Sequence, residues 1–179
     1  LIKATAPTQN LFTRLHGVWG LWQLARKNLS KEAHGHLCQL TKDPNWRIRA
    51  QAARAIGESG FEGQPTTFVR PLLKDENAHV KLHAAIALGR IGDTSSDRSP
   101  LLELLEENND SDPYLRHAAV EGLYTLTIRD WEFSEGMNIA SLKNHPSPAV
   151  RLGAVMVLRR LNHAGIADLR RGTPEPRDP

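Results

Sequence analysis

One feature constrains this chain more than any other: a cationic side chain recurs at Arg14, Arg49, Lys81, Arg116 and Arg151, at spacings of 35, 32, 35 and 35 residues. The residues around it recur too. Segments 13–21, 48–56, 80–88, 115–123 and 150–158 align without gaps, and six residues before each cation stand Thr8, Asp43, Asp75, Asp110 and His145. A period of thirty to forty residues marks units that stack on one another, because one such unit is too small to bury its own apolar side.

Counting the cation as zero, small or aliphatic residues fall at −1, +3, +4, +6, +7 and usually +10. At about 100° per residue these positions share one broad arc of a helix. The small residues at +3 and +6 (Gly17 and Gly20, Ala52 and Ala55, Ala84 and Ala87, Ala119 and Gly122) let a neighbouring helix approach closely. Pro44, Pro113 and Pro148 suit the entry turns, where a missing N–H costs nothing. Gly57 and Gly60, Gly89 and Gly92, and Gly165 fall at helix ends and in the last loop. Weaker helical patterns over 31–42, 65–74, 98–108 and 132–143, with a remnant at 163–171, supply a first helix to each unit. No stretch alternates with period two. The expectation is an all-α chain, a right-handed α-α superhelix of about five helical hairpins. Residues 1–171 form a single domain, and 172–179, with three prolines and no apolar anchor, form a linker or tail. Because residue 1 is Leu and no leader pattern precedes the repeats, a processed form or a piece of a longer chain is expected.

Composition removes other classes. With 40% hydrophobic and 24% charged residues the chain is neither disordered nor fibrous. No run of eighteen apolar residues exists to span a membrane, and the lone Cys38 has no partner for an internal disulfide. The 23 basic and 20 acidic residues are mixed along the sequence, and their balance of +3 is a weak field rather than a nucleic-acid footprint.

The pattern Asp-Pro-x-x-x-Ile-Arg-x-x-Ala-x-x-Ala-Ile at 43–56, with its relatives at 75, 110 and 145, resembles the HEAT repeat, most of all the class first described in phycobilin lyases. The resemblance spans 8–169. It implies a HEAT-like solenoid and a protein-binding scaffold more than any activity. Residues 14–24 and 112–120 further resemble stretches of large bacterial multidomain proteins, in which HEAT repeats lie between a sugar-dehydrogenase-like β-propeller and a c-type cytochrome domain. That likeness implies the middle domain of a membrane-bound dehydrogenase and an extracytoplasmic or periplasmic location; without it the expectation is cytoplasmic. No Cys-x-x-Cys-His motif is present, so no haem is expected, nor any other cofactor.

The acid and cation series reads as a structural ladder. Asp43, Asp75 and Asp110 are placed to cap the following helix or to accept nearby N–H groups, and Arg49, Lys81, Arg116 and Arg151 to reach the acid of an adjacent unit. His79 and His83 share a helix face, but Val80 stands where a catalytic zinc motif has Glu, and no third ligand is evident, so no metal is expected. Cys38 reads as a buried thiol, and Glu103, Glu106 and Glu107 as a solvated face. No nucleophile stands near a base and no phosphate-cradling glycine loop occurs, so no catalytic residue is assigned and the segment is not read as an enzyme.

In solenoids of the resembled type the second helices line the concave surface. Opposite the apolar arc lie positions −2, +2, +5 and +9: Phe12, His16, Trp19 and Gln23; Arg47, Gln51, Arg54 and Glu58; His79, His83, Ile86 and Arg90; Tyr114, Ala118, Glu121 and Thr125. Aromatic and Arg side chains dominate the first three groups, and such side chains carry a large share of interface energy. The row from Phe12 to Glu121 is the expected binding surface for a protein partner or an adjacent domain of the same parent chain. A lyase- or hydrolase-type HEAT enzyme and a nucleic-acid-binding HEAT protein are the alternative readings.

Overall fold

Every long helix begins on a side chain that satisfies its free N–H groups. The computed structural model describes residues 1–27, 29–60, 65–129 and 139–163. Its long helices are α1 (Leu11–Arg26), α3 (Trp46–Glu58), α5 (Ala78–Ile91), α7 (Pro113–Arg129) and α8 (Pro148–His163). Asn10, Asn45, Asn77, Asp112 and Ser147, each four residues before the repeat cation, accept from the first-turn N–H of Thr13, Arg47, His79, Tyr114 and Val150 respectively. All five are residue types whose short polar side chains favour this position. The caps therefore belong to position −4, not to the acids at −6. Asp43 and Asp75 instead accept the N–H of the cap residue itself, at 2.9 Å in both units. Asp110 does not: Asn108 takes that role, accepting from Asp112.

The other elements are α2 (Lys31–Leu40), α4 (Thr66–Val69), α6 (Thr94–Asn108) and three 3-10 turns, Ile2–Thr5, Arg70–Lys74 and Ile139–Asn144. They form a second layer. Ile2–Thr5 packs on α1, α2 between α1 and α3, α4 and Arg70–Lys74 on α5, α6 on α7 and α8, and Ile139–Asn144 on α8. The long helices form the first layer, each against the next: α1 on α3, α3 on α5, α5 on α7, α7 on α8. Neighbours in the stack are neighbours in sequence, and no strand occurs among the described residues. The result is an all-α solenoid of helical hairpins. The helix expected over 65–74 is split, since Pro71 gives no N–H and the backbone tightens into a 3-10 turn. Residues 130–138 and everything after 163, including the remnant at 163–171, Gly165 and the tail, lie outside the described residues.

One core runs the length of the array. Ile48, Ala52, Ala53 and Ile56 of α3, Val80, Ala84, Ala85 and Leu88 of α5, and Ala119, Val120 and Leu123 of α7 are all buried. In α8 the arc opens. Val157 is fully buried, but Val155 and Leu158, at positions that are core in α3, α5 and α7, are exposed.

The seams between long helices differ. Position +8 of one helix faces +6 of the next. A Cβ added to Gly57 would lie 2.6 Å from the Cα of Ala87, and one added to Gly89 would lie 2.5 Å from the Cα of Gly122. Real carbons do not approach so closely, so α3–α5 and α5–α7 require glycine there. At the ends of the array position +8 holds Trp22 and Tyr124.

A candidate binding groove along three helices

The edge of the groove is polar. The Arg14 guanidinium donates to the Thr5 carbonyl at 2.9 Å and forms an ion pair with Asp43, both side chains being buried. One unit on, Arg49 clasps both oxygens of Asp75 at 2.7 and 2.9 Å and donates to the Asp43 and Pro44 carbonyls. Arg151 repeats the carbonyl part with His145 and Pro146. So the repeat cation ties its own entry loop and, in the first two units, the loop of the next. Burial works against the Asp75 carboxylate, but Arg49, the Asn77 N–H and Lys81 outweigh it and hold its pKa below the usual value.

The ladder stops after two rungs. Among the described residues Lys81 forms no ion pair with Asp110; Asp110 turns back to Arg116 of its own unit. The cause lies in the backbone, where Asn109 and Asp110 have φ of 43° and 61°. These consecutive left-handed residues end α6 and swing the carboxylate away from α5. Asn and Asp tolerate that conformation better than other side chains.

Beside this edge, the exposed sides of α1, α3 and α5 form a groove. Between α1 and α3, where Trp22 holds the helices apart, a cleft of about 330 Å³ has Val18 and Ala55 beneath, Trp19 and Trp22 as walls, and Gln51, Arg54 and Glu58 at the rim. A second cleft, of about 220 Å³, lies between α3 and α5 and is lined by Arg54, Glu58, His83, Ile86, Ala87 and Arg90. The two share Arg54 and Glu58, so they are consecutive pockets of one groove. Phe12, 76% exposed, and Trp19, 59% exposed, extend it along α1, where Leu1, Ala4 and His16 help to line further hollows.

Of the residues singled out from sequence, Phe12, His16, Trp19, Arg47, Arg54, His79 and Arg90 are exposed on this side, and His83 is half-buried between the helices. His79 does not stand free: its ring stacks on Trp46 at 5.6 Å, and Arg47 lies over the same indole at 4.4 Å. Glu58 accepts from Arg54 at 3.0 Å and contacts Arg90 at 3.4 Å. Burial lowers the pKa of His83, Arg54 and His79 push it down further, and Glu58 opposes them. The neutral form of the imidazole is therefore favoured more than in a free histidine.

Along α7 the register shifts. Tyr114 is exposed, but Ala118 is wholly buried, and the surface line passes through His117. Glu121 is tied to Arg160 of α8, which also lies 4.4 Å over the Tyr124 ring. The pocketed groove therefore covers α1 to α5, with Tyr114 and Glu121 on its continuation. Sequence reasoning missed Trp22 and Trp46, which it did not place on the row; their signal was their size, Trp22 where α3 and α5 carry Gly57 and Gly89, and Trp46 where α5, α7 and α8 carry Ala78, Pro113 and Pro148. Cys38 is buried, and burial raises its pKa. Glu103 and Glu107 meet Lys74 on the surface of the opposite layer. Among the described residues no three His, Cys, Asp or Glu gather as metal ligands, and no helix is long and apolar enough to cross a membrane.

The repeat geometry agrees with a comparison of sequences: the family model for HEAT repeats matches residues 35–124, half of the chain. No curated protein matches it significantly.

Proposed function

This chain belongs to the HEAT-repeat family, and from that premise we propose that it is a non-catalytic scaffold whose second helices present a concave face to a protein partner or to an adjacent domain of the same parent chain. HEAT repeats commonly serve protein interaction. The observation that carries the reading here is the pair of consecutive clefts joined at Arg54 and Glu58 and bordered by exposed Trp19. Pockets walled by aromatic and Arg side chains suit the anchoring residues of a protein interface. The finer proposal is that the partner domains are those of a bacterial propeller-and-cytochrome dehydrogenase, supported by the likeness of 14–24 and 112–120 noted above.

The test is site-specific cross-linking. A photoreactive residue at position 16 or 51 should yield a discrete protein adduct in the native host, lost when Trp19 and Arg54 are both replaced by Ala. The same residue at position 106, on the opposite layer, should yield none. Equal adducts from both layers, or adducts indifferent to the two substitutions, would remove this reading.

A further inference from the structure

A net charge of +3 conceals a concentration of positive charge on the groove helices. Helices α1, α3 and α5 together contain one acid, Glu58. Arg14 and Arg49 are committed to Asp43 and Asp75. That leaves Arg26, Arg47, Arg54 and Arg90 exposed along the groove. On the opposite layer α6 is acidic, carrying Asp97, Glu103, Glu106 and Glu107 against Arg98, while Lys3, Arg70, Lys74 and Lys143 of its other elements are basic.

The positive excess is clearest where the clefts meet. Glu58 is shared by two guanidiniums, Arg54 and Arg90, so the junction keeps an excess positive charge. A basic side chain arriving there would have to compete with two arginines for one carboxylate; an acidic one meets unspent donors. Next to this junction the α1–α3 cleft is apolar below and indole-walled, with room for one large apolar side chain. A nucleic-acid backbone fits less well, since it calls for an uninterrupted run of unpaired cations. Here Arg26 and Arg47 lie over Trp22 and Trp46, and the two pockets break the run.

We infer that the groove binds an acidic peptide segment of its protein partner, with an apolar side chain lodged between Trp19 and Trp22 and carboxylates of the same segment meeting Arg54 and Arg90. This rests on the scaffold reading above and specifies the chemistry of the partner.

Fluorescence anisotropy of the whole chain with labelled synthetic probes tests it. The probes are a Gly/Ser peptide carrying one Leu among several Glu, the same peptide with Lys in place of Glu, the same with Ala in place of Leu, and a single-stranded DNA oligonucleotide. The Leu/Glu peptide should bind best. Arg54→Glu and Arg90→Glu should each weaken it about tenfold and improve the Lys peptide, whereas Glu103→Arg on the opposite layer should leave it unchanged. Both arginines are exposed, and circular dichroism verifies that the variants fold. Equal binding of the Glu and Lys peptides, tightest binding of the DNA, or binding of no peptide at all would overturn the inference. Cross-linking from positions 16 and 51 separates the two failures. If adducts persist there while the acidic peptide shows no advantage, the face is right and its chemistry wrong; if they vanish as well, the face itself is wrong.

Discussion

The α1–α3 and α5–α7 seams join equivalent helices by opposite means. Between α1 and α3 a buried ion pair, Arg14 with Asp43, clamps one end while Trp22 props the other open into a cleft. Between α5 and α7 no ion pair occurs among the described residues; Gly89 lies against Gly122, and Arg129 donates to the Arg90 and Gly92 carbonyls. The intervening α3–α5 seam has both devices, the Arg49–Asp75 rung and the Gly57–Ala87 approach. The α1–α3 seam, held by an ion pair at its edge, tolerates a gap at its crossing, and the gap is where the proposed peptide would lodge. The α5–α7 seam, without an ion pair, closes on itself at Gly89 and Gly122.

The comparison breaks most readily at its clamp. Asp43→Ala strands the Arg14 guanidinium in a buried site, and removing one member of such a pair costs about 3–5 kcal/mol. Chemical denaturation should show that loss, with the first unit the earliest to exchange its amide protons. A loss below about 1 kcal/mol would mean that apolar packing alone holds α1 in place. Next comes the opposite device. Gly89→Ala forces α5 away from α7, and overpacking of this kind costs about 1–3 kcal/mol, even though Ala is the better helix former. If that variant is instead more stable, the α5–α7 approach is looser than the structure has it.

Smaller than either is the loss of a cap. Asn77→Ala should cost about 1 kcal/mol, and Asn10→Ala a similar amount, because each donates the same service to a different seam. Unequal costs would show that one seam depends on its helix start more than the other. The pH response sorts the seams differently. His83, between α3 and α5, and His34, on α2 beneath α1, both have their pKa lowered chiefly by burial, with a hydrogen bond to the Ala25 backbone opposing this at His34. A base whose folded pKa lies below its unfolded value of 6.5 leaves the unfolded state with more protons as pH falls. Stability should therefore be full above about pH 6.5 and decline below it, until the folded imidazoles protonate in turn. His83→Gln should flatten part of that decline. The Asp75 pKa is shifted in the same direction, so its contribution too is present above the usual carboxylate pKa and is lost as pH falls through its lowered value.

The order of the array was legible because it is written in period and arc: Ile48, Val80 and Leu115 at −1 are buried, as helical geometry requires. The caps were legible too, since Asn10, Asn45, Asn77, Asp112 and Ser147 share position −4, but the acids at −6 drew the argument because their charges are louder. What sequence did not carry is how the edge closes. Asp110 matches Asp43 and Asp75 in type and spacing, yet two left-handed residues turn it toward Arg116, and helical periodicity does not encode a loop's φ angles. The cleft was hidden for a related reason. Trp22 reads as one more apolar residue on its helix, and only its opposition to Ala55 across the seam makes it a spacer. The concentration of positive charge on α1, α3 and α5 was equally out of reach of a whole-chain charge count.

The smallest expected effects sharpen the comparison most. Asp110→Ala removes an ion pair whose Asp110 and Arg116 side chains are 43% and 27% exposed. Solvent-accessible pairs of this sort contribute about 0–1 kcal/mol, so its cost should be several-fold below that of Asp43→Ala, although the two aspartates occupy the same place in the repeat. Trp19→Ala should be equally mild for stability, within about 0.5 kcal/mol, since the side chain is largely in solvent, and yet abolish preference for an apolar anchor in the peptide probe. A large destabilisation from either variant would mean that the repeat position, rather than the local seam, sets the energetics. A neutral pair beside a costly Asp43→Ala would mean that the local seam, and not the place in the repeat, decides what an edge contact contributes.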